Sequence, residues 1–219
     1  MTVLTLADVI NGLTNNQIDA PVQISRVVVD SREVEPGALF VALPGERVDG
    51  HQFVAEAFQR GAIAAITQQP VEHDQTIVVG QVTGVEIARA AKTLPLVIQV
   101  PDSLRGLQQV SAFWRRQFNV RVIGVTGSVG KSTTKELLWA VLSTRYNTLK
   151  NEGNYNNEIG LPLTLLNLKA DHERVVLEMG MYALGEIDLL CRLAQPQVGV
   201  VTNVGPVHLE RLGTIERIA

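Results

Sequence analysis

The chain has 219 residues, 46% of them hydrophobic and 19% charged, with a formal net charge of −3. This composition supplies a sizeable core and excludes a disordered chain, and the negative charge argues against a general nucleic-acid binder, which needs a basic face. The single cysteine, Cys191, excludes a disulfide framework and a cysteine-rich zinc site. Since no signal peptide and no apolar run near ~18 residues is found, we expect a soluble, cytoplasmic protein without a membrane span.

The first hundred residues alternate short β-rich runs with a helical pattern. A turn at Glu35-Pro36-Gly37 separates the first two runs, and Gly61 suits the end of the helix. The predicted strands are 26–30 and 38–43, the predicted helix is 52–60, and further short apolar runs lie at 62–66, 76–80 and 96–100. We interpret residues 1–100 as a small α/β domain with its own core.

A second domain, residues 101–219, is predicted after the break at Pro101-Asp102-Ser103, where Asp102 or Ser103 suits the start of a helix. Longer strand–helix units follow this first helix. The predicted strands are 120–127, 174–178 and 198–202, and the predicted helices are 131–145 and 185–194. Apolar strands that alternate with helices predict a mostly parallel sheet covered on both faces, so the expected fold class is α/β throughout.

The most specific motif is a glycine-rich loop, GVTGSVGKST at 124–133, between a predicted strand and a predicted helix. Glycines let backbone N–H groups surround a phosphate, and the helix N-terminus adds partial positive charge. Lys131 supplies a full charge near the β- and γ-phosphates, and Ser132 supplies a hydroxyl for Mg²⁺. The general pattern has a glycine where Val125 stands, so the alternative is a glycine-rich turn with a chance lysine. The loop nevertheless predicts a P-loop domain that binds nucleotide phosphates.

Further segments, together with this loop, resemble the Mur ligase family, whose members build the peptide of bacterial cell-wall precursors. They are NYNNEIGLPLT at 154–164, EMGMYALGEI at 178–187, TNVGPVHLERLG at 202–213, and upstream DSR at 30–32, PGALFVA at 36–42, Gly45 and DGH at 49–51. The resemblance runs collinearly over essentially the whole chain. It implies an N-terminal UDP-sugar module followed by the first part of a central ATP-binding domain.

Within the family, the segment 178–187 is similar to that of the member that adds D-alanyl-D-alanine to UDP-N-acetylmuramoyl-tripeptide. The resemblance therefore implies amide formation through an acyl phosphate, with ATP and Mg²⁺, in peptidoglycan precursor synthesis. The complete enzyme is expected to be a monomer. Because the family has three domains, the resemblance also implies a chain that stops within the central domain and is inactive alone.

Three alternatives to this activity stay open. The first is the related ligase that adds the third amino acid, although that member typically has a Glu-Val-Ser-Ser run at the metal segment. The second is a folate polyglutamate ligase, which shares the loop but lacks the upstream module. The third is a nucleotide-binding switch protein that catalyses nothing.

The resemblance also implies roles for individual residues in catalysis. Lys131, Glu178 and His208 are the expected catalytic residues. Glu178, which closes a predicted strand, is expected to hold Mg²⁺ together with Ser132, and His208 is expected to be a ligand for a second metal. For His208 the alternative is a hydrogen-bonded structural residue.

Contacts to the ligands are expected in two groups. Asn154 and Asn157 lie on a loop before a helix, where they could contact the nucleotide or cap the helix. Ser31 and Arg32 follow a strand, and the alternative for Arg32 is a solvated surface turn. The expected ATP contacts are Thr126, Gly127, Ser128, Val129, Gly130, Lys131, Ser132, Thr133, Asn154 and Asn157, and the expected UDP-sugar contacts are Ser31, Arg32, Gly45 and His51. His51 could instead be a neighbour of a helix N-cap.

Overall fold

The computed structural model describes residues 3–45, 48–207 and 213–218 of the chain. The chain divides into two compact units, Met1–Trp114 and Arg115–Ala219. Each unit contains helices and one sheet whose described strand pairs are all parallel, so the predicted fold class is confirmed. The division that the sequence suggests after residue 100 falls just before a helix and stays a prediction.

The first unit is built on a five-stranded parallel sheet in the order β1-β2-β3-β5-β4. Its strands are β1 (Val27–Val28), β2 (Leu39–Val41), β3 (Ala64–Thr67), β4 (Thr76–Val78) and β5 (Leu96–Gln99). Its helices are α1 (Leu6–Thr14), α2 (Val54–Gln59), α3 (Gly84–Ala90) and α4 (Ser103–Arg115), with short 3₁₀ turns at Ser31–Glu33 and Gly50–Phe53. Strands β2 and β3 are buried at every position, as central parallel strands require.

Two helices of this unit, α1 and α3, do not follow from the apolar periodicity that we used for the sequence. Each begins with a capping box, in which a threonine and an acidic residue three positions later bond each other's main chain. The pairs are Thr5 with Asp8 and Thr83 with Glu86. The capping box is therefore the sequence signal that locates both helices.

The second unit is built on a four-stranded parallel sheet in the order β7-β8-β6-β9. Its strands are β6 (Arg121–Thr126), β7 (Thr148–Lys150), β8 (Arg174–Glu178) and β9 (Val198–Val201), and its helices are α5 (Lys131–Ser143), α6 (Gly160–Leu165), α7 (Glu186–Ala194) and α8 (Ile215–Ile218). Strands β6 and β8 form the buried centre, and their carboxyl ends meet at one edge of the sheet. Open parallel sheets bind ligands at this edge.

The surface of the second unit is apolar in two places. Leu137 and Val141 on α5 are 63% and 68% exposed, and Val201 on β9 is 62% exposed. In the described part of the chain, β9 pairs only with β6 and forms one edge of the sheet. None of the helices that the structure describes is long and apolar enough to cross a membrane.

Candidate active site

The glycine-rich loop joins β6 to α5 at the carboxyl edge of the sheet, and two of its glycines are required by geometry. Gly127 has a φ of +130°, and a Cβ there would lie 2.2 Å from Thr202 Oγ1. Gly130, which precedes the first residue of α5, has a φ of +86°. Other residues rarely adopt such angles, so the sharp turn into α5 depends on both glycines.

The segment after β9 supports the loop from one side. Ser128 N–H donates to the Asn203 carbonyl at 3.0 Å, and Val129 N–H donates to Asn203 Oδ1 at 2.9 Å. The Ser128 hydroxyl also exchanges hydrogen bonds with the main chain of Gly205, at 2.8 and 3.1 Å. Because these two amides are bound to the protein, the expected ATP contacts at Ser128 and Val129 stay predictions.

The amide donors that stay open for a ligand are at the start of α5. The N–H groups of Lys131, Ser132 and Thr133 lie in its first turn, where an α-helix has no acceptor of its own to offer. The helix dipole makes the same place favourable for a phosphate. The side chains of Ser132 and Thr133 are exposed there.

Lys131 lies where its ammonium can reach a bound phosphate. Its Nζ donates to the carbonyl of Gly127 at 2.7 Å and is 3.4 Å from that of Ser128. The side chain lines a cavity of about 400 Å³, whose other walls include Asn156 and Gly180. The loop lysine and the two segments that follow β7 and β8 are therefore brought to one cavity.

Glu178 is the last residue of β8 and its side chain is buried, with the residue only 3% exposed. Oε1 accepts a hydrogen bond from Asn156 Nδ2 at 2.8 Å, whereas Oε2 has no hydrogen-bond partner among the described residues. An unpartnered buried carboxylate oxygen is costly, and a native structure that contains one calls for an explanation. A bound cation would explain this one.

The position of Glu178 and the chemistry around it fit Mg²⁺, which prefers oxygen ligands. Glu178 on β8 is paired in register with Val125 on β6. The next residue of β6, Thr126, donates a hydrogen bond through its hydroxyl to the Met179 carbonyl at 2.9 Å. These contacts hold Glu178 next to the start of the phosphate loop. A carboxylate from β8 and the Ser132 hydroxyl from α5 are thus available to a metal that also binds phosphate oxygens.

Asn151 and Asn156 organise Glu178, and the sequence analysis did not single them out. Asn151, fully buried, donates through Nδ2 to the Glu178 carbonyl at 3.0 Å and accepts from the Glu178 N–H through Oδ1 at 2.9 Å. Asn156 lies within the NYNN segment, which was the available signal for it. Asn151 follows β7, a three-residue strand that was not predicted.

The two asparagines that were singled out have different surroundings. Asn157 Oδ1 accepts from Gly160 N–H at 2.8 Å and from Ile159 N–H at 3.2 Å, so Asn157 caps the start of α6. It also lines the cavity beside Lys131. The side chain of Asn154 is exposed. Nucleotide contacts by both asparagines stay predictions.

In the first unit, the DSR segment forms a short turn after β1. Ser31 is buried, whereas the Arg32 side chain is 81% exposed and pairs with Asp30 at 2.5 Å. The hydrogen bonds from Arg32 lower the pKa of Asp30 to about 2. Gly45 has no room for a side chain, because a Cβ there would lie 2.5 Å from the Val48 carbonyl oxygen.

His51 is buried and both of its ring nitrogens have protein partners. Nδ1 is 2.5 Å from Asp49 Oδ1, and Nε2 accepts from the Gln68 and Gln69 N–H groups at 2.9 and 3.3 Å. Because Nε2 accepts, the hydrogen of the neutral ring is on Nδ1 and is donated to Asp49. The geometry gives His51 a structural role next to the N-cap Asp49, and substrate contacts by Ser31, Arg32, Gly45 and His51 stay predictions.

His208, the expected ligand for a second metal, lies outside the described residues. Within the residues that are described, no group of three or more His, Cys, Asp and Glu side chains could hold a metal. A metal at Glu178 would therefore take most of its other ligands from hydroxyls, water and the phosphates of the nucleotide.

The strand, the glycine loop and the helix, together with the buried carboxylate on the neighbouring strand, define a P-loop nucleotide-binding unit. Two family models match the chain: residues 23–115 match the "Mur ligase family, catalytic domain", and residues 125–219 match the "Mur ligase middle domain". The chain belongs to the Mur ligase family, which confirms the resemblance inferred from its motifs.

Individual relatives show which members of the family this chain is similar to. The chain is 43% identical, over all of its 219 residues, to the UDP-N-acetylmuramoyl-tripeptide–D-alanyl-D-alanine ligase of Bacillus subtilis (strain 168), and it spans 44% of that protein's length. A crystal structure of MurF from Acinetobacter baumannii superimposes with a TM-score of 0.80 at 33% identity, covering 97% of this chain and 44% of that one.

A third neighbour is the MurF ligase of Thermotoga maritima, whose crystal structure is a complex with ADP. It superimposes with a TM-score of 0.74 at 39% identity and covers 88% of this chain and 40% of that one. The expected similarity to the ligases that add D-alanyl-D-alanine is confirmed by these comparisons.

Proposed function

We propose that this chain carries the ATP site and the UDP-sugar module of a cytoplasmic ligase that joins D-alanyl-D-alanine to UDP-N-acetylmuramoyl-tripeptide. A relative that bears this activity in its name, at 43% identity over the whole chain, supports the choice of substrates. The P-loop at 127–130 and the carboxylate of Glu178 support the use of ATP and Mg²⁺. A monomeric state belongs to the same proposal.

The observation that carries the proposal is Oε2 of buried Glu178, which lies beside the phosphate loop and has no hydrogen-bond partner in the described part of the chain. A protein that only needed a stable sheet at this position would gain by burying an apolar side chain. Asn156 holds one carboxylate oxygen and Asn151 holds the main chain of Glu178, so the other oxygen, without a partner among the described residues, is suited to a cation that arrives with the nucleotide. Mg²⁺ bound there would neutralise charge on the β- and γ-phosphate oxygens.

The residues around the phosphate loop suit phosphoryl transfer to a carboxylate. A carboxylate is a poor electrophile for an amine, so the reaction requires its conversion to an acyl phosphate, which the amine then attacks with release of phosphate. Phosphoryl transfer depends mainly on positioning and on stabilising negative charge. Lys131 and the first-turn amides of α5 supply that stabilisation, and the rigid turn set by Gly127 and Gly130 supplies the positioning.

The activity is tested with the full-length protein, UDP-N-acetylmuramoyl-tripeptide, D-alanyl-D-alanine, ATP and Mg²⁺. We expect phosphate release and a pentapeptide product, both dependent on the dipeptide. The related ligase that adds the third amino acid is tested in a second reaction. There the UDP-sugar substrate carries only two amino acids, and a free diamino acid replaces D-alanyl-D-alanine. Nucleotide binding without phosphate release under either condition would favour a non-catalytic nucleotide-binding protein and reject the proposal.

A further inference from the structure

A buried lysine lies behind the phosphate loop and has no part in the chemistry described so far. Lys135 is four residues after Lys131 on α5, and it is 2% exposed. Its Nζ donates to the carbonyl of Asn151 at 2.8 Å and is 3.2 Å from Glu136 Oε1. A buried ammonium is costly compared with an apolar side chain of similar volume, so a packing role alone does not account for it.

The acceptor of this hydrogen bond leads directly to Glu178. Asn151 bonds both main-chain groups of Glu178 through its side-chain amide, at 2.9 and 3.0 Å. Its Nδ2 also donates to the Tyr155 carbonyl at 2.8 Å, which shapes the loop that carries Asn156 to Glu178 Oε1. Lys135 and Asn151 thus link α5 by hydrogen bonds to the main chain of Glu178, and Asn156, on the loop that Asn151 holds, bonds its carboxylate. We name these three residues the Lys135 clamp.

We propose that Lys135 is a positioning residue, which acts through Asn151 to hold the Glu178 carboxylate at the correct distance from the first turn of α5. This inference rests on the proposed function, because it assigns Ser132 and Glu178 to one Mg²⁺ ion. Ser132 and Lys135 lie on the same helix, only three residues apart, so a bond from Lys135 to Asn151 fixes Ser132 relative to β8. Residues that orient metal ligands act on metal affinity in this way.

The inference predicts a selective defect. Lys135→Met keeps a long side chain but removes the donor to Asn151. We expect the Mg²⁺ concentration for half-maximal binding of a non-hydrolysable ATP analogue to rise about tenfold. Binding of the analogue without Mg²⁺ should not change, because the amides and Lys131 do not depend on the clamp. If Lys135 had a merely structural role, Lys135→Met would weaken analogue binding both with and without Mg²⁺.

Lys150→Met is the matched control. Lys150 pairs with the same Glu136, at 2.6 Å, and its Nζ lies 4.1 Å from the centroid of the Trp139 ring rather than on Asn151. Both variants lose one lysine near Glu136, but only Lys135→Met removes the bond to Asn151. The control should keep the Mg²⁺ dependence of the unmodified protein.

The experiment is a Mg²⁺ titration of analogue binding to the full-length protein. It is measured for the unmodified protein, for Lys135→Met, Lys150→Met and Glu178→Gln, and for the double variant Lys135→Met/Glu178→Gln. If Lys135 acts through Glu178, the double variant requires no more Mg²⁺ than Glu178→Gln alone. An unchanged midpoint in Lys135→Met, or a full additional tenfold rise in the double variant, overturns the inference. If Lys135→Met does not fold, Lys135→Gln, too short for the same bond, is judged by the same criteria.

The result separates the inference from the function on which it rests. If the unmodified protein binds the analogue without any response to Mg²⁺, then the proposed function fails, and the inference falls with it. If the unmodified protein responds to Mg²⁺ and Lys135→Met responds identically, then only the inference fails.

Discussion

The ionisable side chains singled out in the two units differ in how completely the protein itself satisfies them, whereas the buried atoms without a partner among the described residues of the first unit are two neutral hydroxyls, of Thr67 and Ser103. In the first unit, Arg32 is paired with Asp30, and buried His51 uses both ring nitrogens within the fold. In the second unit, Glu178 keeps one buried oxygen without a partner among the described residues, and the first turn of α5 offers open amides. Satisfied polar groups stabilise a fold, whereas a buried carboxylate oxygen without a partner is far more costly than a neutral hydroxyl and marks a place for a cation.

Removing the charge of Lys131 tests the second unit most severely. In the full-length protein we expect Lys131→Ala to reduce ATP-dependent phosphate release by about 100-fold or more, because a charge next to the transferred phosphate is lost. Among the described residues, the side chain donates hydrogen bonds to carbonyls of its own loop, so the fold should persist. Steady-state kinetics measure the first effect and circular dichroism the second. Turnover near that of the unmodified protein would remove Lys131 from the phosphate site.

Glu178→Gln separates the function of the carboxylate from its contribution to stability. We expect the Mg²⁺ requirement of nucleotide binding to rise by about tenfold or more, since a neutral amide is a poorer ligand for a hard cation. The thermal midpoint without Mg²⁺ should stay the same or rise, because an unpartnered buried charge is removed. Calorimetric titration and thermal denaturation measure the two quantities. A lower midpoint with an unchanged Mg²⁺ requirement would make Glu178 a structural residue.

For His51→Phe in the first unit, we expect a loss of stability without a change in nucleotide binding, the reverse of the result expected for Glu178→Gln. The substitution leaves the N–H groups of half-buried Gln68 and exposed Gln69 without their acceptor, which costs about 0.5–1.5 kcal/mol of stability. Urea denaturation followed by circular dichroism measures the loss. Mg²⁺-dependent nucleotide binding should not change. An unaltered free energy of unfolding would show that the His51 hydrogen bonds do not stabilise the unit.

The smallest effect is expected for the exposed pair of Arg32 and Asp30. The pKa of Asp30 is lowered from 3.8 to about 2, mainly by the side-chain hydrogen bonds from Arg32. A lowered pKa in the folded state stabilises the protein above about pH 4, and this contribution is lost as the pH falls from 4 towards 2. Arg32→Gln should therefore lower the thermal midpoint slightly at pH 7, because the pair is exposed, and the difference between the two proteins should disappear as the pH falls from 4 towards 2. A pH series of thermal denaturation that is identical for both proteins would contradict this assignment.

How much the sequence predicts also differs between the units. In the second unit, the glycine loop located Lys131 and Ser132 between a strand and a helix, and the structure places them there. The segment 178–187, which bears a family pattern, singled out Glu178 at the end of a predicted strand, and the structure places Glu178 at the end of β8. These are local signals, because the chemistry is coded within a few consecutive residues.

Contacts between distant residues could not be predicted in the same way. The bonds from Lys135 to Asn151 and from Asn151 to Glu178 join residues 16 and 27 positions apart, and neither periodicity nor spacing indicates them. The short strand β7, which places Asn151, has only half-buried residues and lacked a clear strand pattern. In the first unit, the partners of His51 on Gln68 and Gln69 are similarly remote in sequence.

The most direct test of the account is a crystal structure of the protein with a non-hydrolysable ATP analogue and Mn²⁺, which replaces Mg²⁺ and can be located by its anomalous signal. We expect phosphate oxygens within hydrogen-bond distance of the amides of Lys131, Ser132 and Thr133. We also expect the metal to be bound to Glu178 Oε2, at about 2.1–2.2 Å, together with the Ser132 hydroxyl. A nucleotide bound elsewhere, or a metal bound to the phosphates with Glu178 Oε2 still unpartnered, would contradict it.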